Sequence, residues 1–161
     1  MGRNFHQMLD EFKRHWKNYV FQSLLASVTL AVIMLVLRLQ NIIIVASMGS
    51  SFFVVFAMPK SITARPRNVI GGHLVGYFSG ILCALIPHPE FISSVIVYSL
   101  AVGLSIFIMV VIDVEHPPAS GTALGAVIAG FESHILVAIV ATVILLSLVQ
   151  YAIRDHIRDL I

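Results

Sequence analysis

Two short runs of small polar residues carry most of the chemistry this sequence can offer. Ala46-Ser47-Met48-Gly49-Ser50-Ser51 precedes the apolar run 52–57, and Ala119-Ser120-Gly121-Thr122-Ala123 precedes the apolar run 124–129. Hydroxyls and glycine backbone at the start of a helix suit the binding of a small anion. The first four N–H groups of a helix have no partner within it, and the terminus acts like about half a positive charge. Serine and threonine add donors without a fixed charge. Gly49, Ser50, Ser51, Ser120, Gly121 and Thr122 are therefore the candidate substrate-binding residues. The competing reading is structural, because small residues also let membrane helices pack closely.

A second set of residues is placed to line or gate a path. His116-Pro117-Pro118 opens the second run, and its prolines bring no N–H and suit the first turn of a helix. His73 either faces a path or hydrogen-bonds a neighbouring helix. Arg65, Arg67 and Asn68 belong to a basic, proline-bounded loop that sets topology or forms an electropositive vestibule. Asp113, Glu115 and His116 cluster at one end of the second run, where protons could be handled. With His134 they lack the paired-histidine spacing of a metal site, so no metal and no cofactor is expected. Gly72, Gly76 and Gly80, four residues apart, predict a close helix crossing rather than a ligand contact.

The elements that must position these residues follow from composition. The 161 residues are 58% hydrophobic and 11% charged, with a mean hydropathy of +0.96 and a formal net charge of +2. A soluble domain is about 25% charged, so an ordinary cytosolic domain, a nucleic-acid binder and a disordered chain are all excluded. The single cysteine, Cys83, forms no internal disulfide. A helix needs about 20 apolar residues to cross the hydrocarbon. Uncharged intervals of 20, 21, 22, 22 and 21 residues lie at 18–37, 39–59, 68–89, 91–112 and 133–153. Residues 116–131, only 16 long, either cross as a short span or re-enter. If they cross, nine basic residues lie on the cytoplasmic side and only Arg38 lies outside, which favours six spans with both termini inside.

The expected fold is thus an all-α, polytopic transmembrane helix bundle of five to six spans. It divides as an inverted 3+3 repeat with two short or broken helices, one carrying each polar run. Residues 1–17 predict an amphipathic helix on the cytoplasmic headgroups, since Phe5, Leu9, Phe12, Trp16 and Tyr19 recur at helical spacing beside Arg3, Lys13, Arg14 and Lys17. Residues 18–153 form the transmembrane domain and 154–161 a cytoplasmic tail. No secretory signal is expected at the N-terminus.

Pro66-Arg67-Asn68-Val69-Ile70-Gly71-Gly72-His73-Leu74, followed by His116-Pro117-Pro118-Ala119-Ser120-Gly121-Thr122-Ala123-Leu124, resembles the HPP family of integral membrane proteins. Gly49-Ser50-Ser51-Phe52 through Pro59 resembles the family's small-residue stretch, so the likeness spans about residues 45–130. Plant members are linked to nitrite transport across the chloroplast envelope. The resemblance therefore implies a transporter of nitrite or a closely related small anion. Those members carry a transit peptide, which is not seen here, so a plasma (inner) membrane is the expected location. Some relatives carry CBS domains after the membrane part, and the family is usually described with four spans.

The leading expectation is a passive or weakly coupled anion transporter, bound between two opposed half-helix N-termini, embedded in lipid and forming a homo-oligomer. A passive mode fits because no Asp, Glu, Lys or Arg falls inside the long apolar runs. A non-transporting membrane scaffold is the alternative. An intramembrane enzyme using His116 with Asp113 or Glu115 ranks third, as no nucleophile accompanies them at a recognisable spacing.

Overall fold

In hydrocarbon a chain must satisfy its own backbone N–H and C=O groups, and a helix does so within one segment. The computed structural model describes residues 5–37 and 42–160, so Arg3 and Arg38, which enter the charge count, lie outside the described residues. Among those described, all regular structure is helical. α1 (Phe5–Leu37), α2 (Ile42–Ala57), α3 (Pro66–Ala84), α4 (Phe91–Val111), α5 (Pro118–Ala129) and α6 (Ser133–Ile153) follow in order, with one 3₁₀ turn at Ile62–Ala64. The expected helical bundle is therefore what the chain forms.

α1, α4 and α6 are long and apolar enough to cross a membrane. α2 and α5 are the shorter apolar helices, where the three-plus-three division places them. α5 has 12 residues. At 1.5 Å per residue it is about 18 Å long, so a crossing through residues 116–131 would need the non-helical residues on both sides of it. Gly130 ends α5 with φ +73°, a left-handed conformation open to glycine without strain. α1 is two helical stretches joined at His15 (φ −126°, ψ 15°). The bend falls near the change from charged to apolar sequence.

The centre of the bundle is the contact of α5 with α3, and the glycine stripe makes it. A Cβ at Gly76 would stand 2.2 Å from the Ala119 carbonyl oxygen, and one at Gly80 would stand 2.4 Å from that of Ala123. A Cβ at Gly72 would stand 2.6 Å from the His116 Cβ. Opposite the stripe, α5 presents Ala119, Ala123 and Ala126, all fully buried. The expected close crossing is present. α2 and α6 complete the core around this pair through Met48, Phe52, Val55, Ile139, Val143 and Leu146.

The Pro-Arg-Asn motif and the tail lock the ends. Arg67 donates from Nη1 to Asp113 Oδ2 and from Nη2 to the Ile112 carbonyl, and buried Asn68 donates to the Glu115 carbonyl. The Pro-Arg-Asn start of α3 thus holds the turn that precedes His-Pro-Pro. Residues 157–160 fold back along the last turn of α2. Leu160 N–H donates to the Ala57 carbonyl, while Gln22 donates to the carbonyls of Phe56 and Arg158.

Two substitutions separate close packing from helix propensity. Gly76→Ala forces α5 off α3 and is expected to lower the melting temperature in detergent, because overpacking costs about 1–3 kcal/mol or more. Gly103→Ala in α4, where a Cβ meets nothing within 4 Å, is expected to leave it unchanged or raise it, since alanine is favoured over glycine in a helix by about 1 kcal/mol.

Candidate functional site

α2, α3 and α5 meet at a buried polar cluster built almost entirely from hydroxyls and imidazoles. His116 Nδ1 donates to the Thr63 carbonyl at 2.7 Å, and its Nε2 contacts Ser51 Oγ at 3.0 Å. The same hydroxyl lies 2.8 Å from His73 Nε2. His73 Nδ1 contacts Thr122 Oγ1 at 2.7 Å, Thr122 contacts Ser47 Oγ at 2.7 Å, and Ser47 donates to the Pro118 carbonyl at 2.8 Å. Ser51, His73 and Thr122 are 0% exposed and His116 is 1% exposed. The two imidazole rings lie 5.1 Å apart, centre to centre.

Helix geometry explains why these side chains converge. Ser47 and Ser51 are four residues apart on α2 and share one face. His73 follows Gly72 on α3, and the missing side chain at Gly72 gives room for the His116 Cβ and the Val114 carbonyl. Thr122 lies in the first turns of α5, on the face turned to α2 and α3. The cluster carries no fixed charge, and every link in it is made between neighbouring elements rather than to solvent.

The structure corrects the expectation of two opposed helix termini. α2 runs unbroken from Ile42 to Ala57, so residues 46–51 lie inside a helix and their N–H groups serve the helix itself. The physical reason is that serine hydroxyls turn back onto the helix instead of breaking it: Ser50 donates to the Ser47 carbonyl at 2.8 Å, and Ser51 Oγ lies 3.2 Å from the same oxygen. The start of α5 is also spoken for. Pro117 and Pro118 have no N–H, Ala119 N–H donates to the His116 carbonyl and Ser120 N–H to the Pro117 carbonyl. Free backbone donors are thus replaced by side chains as the chemical content of the site.

Of the candidate residues, Ser51, Thr122, His73 and His116 come together here. Gly121 packs against Ser47, with an added Cβ 3.4 Å from the Ser47 Cβ. Ser120 turns its hydroxyl to the Pro117 carbonyl, and Ser50 and Gly49 lie away from the cluster on α2. Pro117 and Pro118 start α5. Arg65 is exposed before α3, while Arg67 and Asn68 hold the 112–115 turn. Asp113 is engaged by Arg67, and His134 pairs with Glu132, so neither joins His116. Ser47 and the Thr63 carbonyl are the members not singled out beforehand. Ser47 was detectable as the residue one helical turn before Ser51; a backbone carbonyl leaves no such signal.

The two motifs that meet here, Pro-Arg-Asn with its following Gly-Gly-His and His-Pro-Pro, both lie within a stretch that matches a known family. The model of the HPP transmembrane region matches residues 11–158. The chain belongs to the HPP transmembrane family. Two transmembrane proteins of Dictyostelium discoideum are similar to it, at 33% and 32% identity over 85 residues, or 53% of this chain. That match spans 30% and 27% of their respective lengths. No solved structure matches. Membership of this family, together with the apolar helices, makes the chain a multi-pass membrane protein.

The contacts order the costs of two substitutions. Asn68→Ala removes a buried donor and leaves the Glu115 carbonyl without it, an expected loss of about 1–3 kcal/mol. Arg67→Ala breaks an exposed ion pair, 64% and 76% accessible, and an exposed hydrogen bond to the Ile112 carbonyl, and is expected to cost no more than about 1 kcal/mol. Thermal unfolding in detergent should show the larger drop for Asn68→Ala.

Proposed function

We propose that this HPP-family chain transports a small monovalent anion, of which nitrite is the leading substrate, at the Ser47–Ser51–His73–His116–Thr122 cluster. The observation that carries the reading is the cluster's content: three hydroxyls and two imidazoles, buried where three helices meet and free of fixed charge. Such groups bind an anion by hydrogen bonds without the permanent cost of a buried lysine or arginine. The family resemblance, in which plant members are linked to nitrite, selects the substrate. The distribution of Lys and Arg supports a cytoplasmic N-terminus in a plasma membrane. The apolar outer faces of α4, including Phe107, Val110 and Val111, offer surface for lipid or for a homo-oligomer.

A non-transporting scaffold is the second reading, and one observation favours it: the polar groups of the cluster already bond one another. The two readings part in proteoliposomes loaded with nitrite, nitrate, formate or chloride. For the transporter, nitrite efflux exceeds that from protein-free vesicles, and Thr122→Val lowers it about tenfold or more, the effect of removing about 1.4 kcal/mol or more of binding to the crossing anion. For the scaffold, no anion moves and Thr122→Val alters only thermal stability.

A further inference from the structure

The hydrogen bonds of the cluster do not balance when every side chain is neutral. The chain of contacts begins on one carbonyl oxygen, that of Thr63, and ends on another, that of Pro118. Both ends accept only. Between them lie six links: Thr63 to His116, His116 to Ser51, Ser51 to His73, His73 to Thr122, Thr122 to Ser47, and Ser47 to Pro118. Each link needs one hydrogen. Two neutral imidazoles and three hydroxyls supply five. A seventh contact, Ser51 Oγ to the Ser47 carbonyl at 3.2 Å, only adds to the demand. One link of the neutral cluster therefore sets two lone pairs face to face at 3.0 Å or less.

We propose that the cluster is a binding and relay site for one proton, shared by His116 and His73 through the Ser51 hydroxyl. One added proton fills all six links in either of two arrangements. In the first, His116 holds both N–H groups; its Nε2–H donates to Ser51, and the Ser51 hydroxyl donates to His73 Nε2. In the second, the His116 Nε2–H bond has broken, the proton has bonded to Ser51 Oγ, and the former Ser51 hydroxyl proton is now on His73 Nε2. The charge has moved from one ring to the other while the heavy atoms keep their partners. The remaining links, from His73 Nδ1 through Thr122 and Ser47 to Pro118, read the same way in both.

The surroundings leave these two rings as the place for the charge. α2 and α5 contain no Asp, Glu, Lys, Arg, Tyr, Cys or other His. On α3, Tyr77 gives its hydroxyl to the Glu132 carbonyl and Cys83 belongs to a separate apolar cluster with α4 and α5. Arg67 is turned to Asp113, Asn68 bonds the Glu115 backbone, and Arg65 and Glu115 are the charged groups flanking the Thr63 and His116 turns. α6, on the far side of α3, carries His134 paired with Glu132 at its start and Tyr151 near its end. Among the described residues, no carboxylate is paired with either ring, so an imidazolium between α2, α3 and α5 has no counter-ion there. A small anion is the counter-ion it lacks, so, resting on the transport reading, proton and anion are taken up and released together. This goes beyond the expectation of passive or weakly coupled conduction: the titratable group offered for coupling is a histidine pair rather than an acid.

The test uses full-length protein in lipid nanodiscs with His6, His15, His88, His134 and His156 replaced by glutamine, which leaves His73 and His116 as the only histidines and the cluster intact. ¹⁵N-histidine NMR is followed from about pH 8 to about pH 4, the range in which imidazoles titrate. The expected result is uptake of one proton in a single step that moves the signals of both rings, at a higher pH when nitrite is present. Rings that each keep one N–H across the range, or that titrate in two independent steps, overturn the proposal. The same protein in liposomes is then assayed for nitrite flux with an internal pH dye. Flux that carries protons supports the coupling, and flux indifferent to a pH gradient overturns it. If no anion moves while the rings still share one proton, the transport reading fails and the proton site stands.

Discussion

α5 approaches α3 so closely that a single methyl group at Gly76 would stand 2.2 Å from the Ala119 carbonyl oxygen, well inside van der Waals contact distance. That approach decides where the rest of the site goes. It brings Thr122 within reach of His73, and it lays the His116 Cβ over Gly72, while the second imidazole reaches Ser51 on α2. Attraction between helices in lipid comes from contact rather than from expelled water, and contact of this kind needs small residues on both partners. The alanines of α5 meet the glycines of α3 for that reason. The functional groups follow from the packing, since none of them has to be held by a charge.

Having been brought together, the polar side chains obey a second constraint. A hydroxyl or imidazole buried at this depth has little water to turn to, so it must find a protein partner. Ser51 answers this by contacting both imidazoles, and Ser47 by bridging α2 to the Pro118 carbonyl. The turn ahead of α5 is fixed from outside by Arg67 and Asn68, which explains in contact terms why a Pro-Arg-Asn segment and a His-Pro-Pro segment occur in one family pattern.

Much of this was legible before any coordinate. Charged residues stop at the membrane boundary, so the intervals between them outlined the helices, and the four-residue glycine spacing announced the α3–α5 crossing. Pro117 and Pro118 marked the start of α5, and Gly130 stands at its end. The polar runs were harder. Serine in a helix bonds to the turn before it, so Ser47 to Ser51 read as a break but fold as plain α2. Which hydroxyl meets which ring depends on helix rotation and depth, quantities that one chain's spacing does not encode. The Thr63 carbonyl was invisible because the backbone is the same at every residue. His73 was open between path and helix contact; it makes hydrogen bonds to two neighbouring helices.

The return of residues 157–160 to the end of α2 bears on how the bundle closes. The Phe56 carbonyl, and the Gln22 amide that bridges it to the Arg158 carbonyl, lie on α2 and α1, while the Ala57 carbonyl takes the Leu160 N–H. The segment that completes this contact lies 136 residues beyond Gln22, a long loop to close before its bonds repay the entropy. The end of α2 is therefore finished by a long-range closure, made only when the chain after α6 swings back. The bundle is in effect clasped, with α1 and α2 held by residues that follow α6.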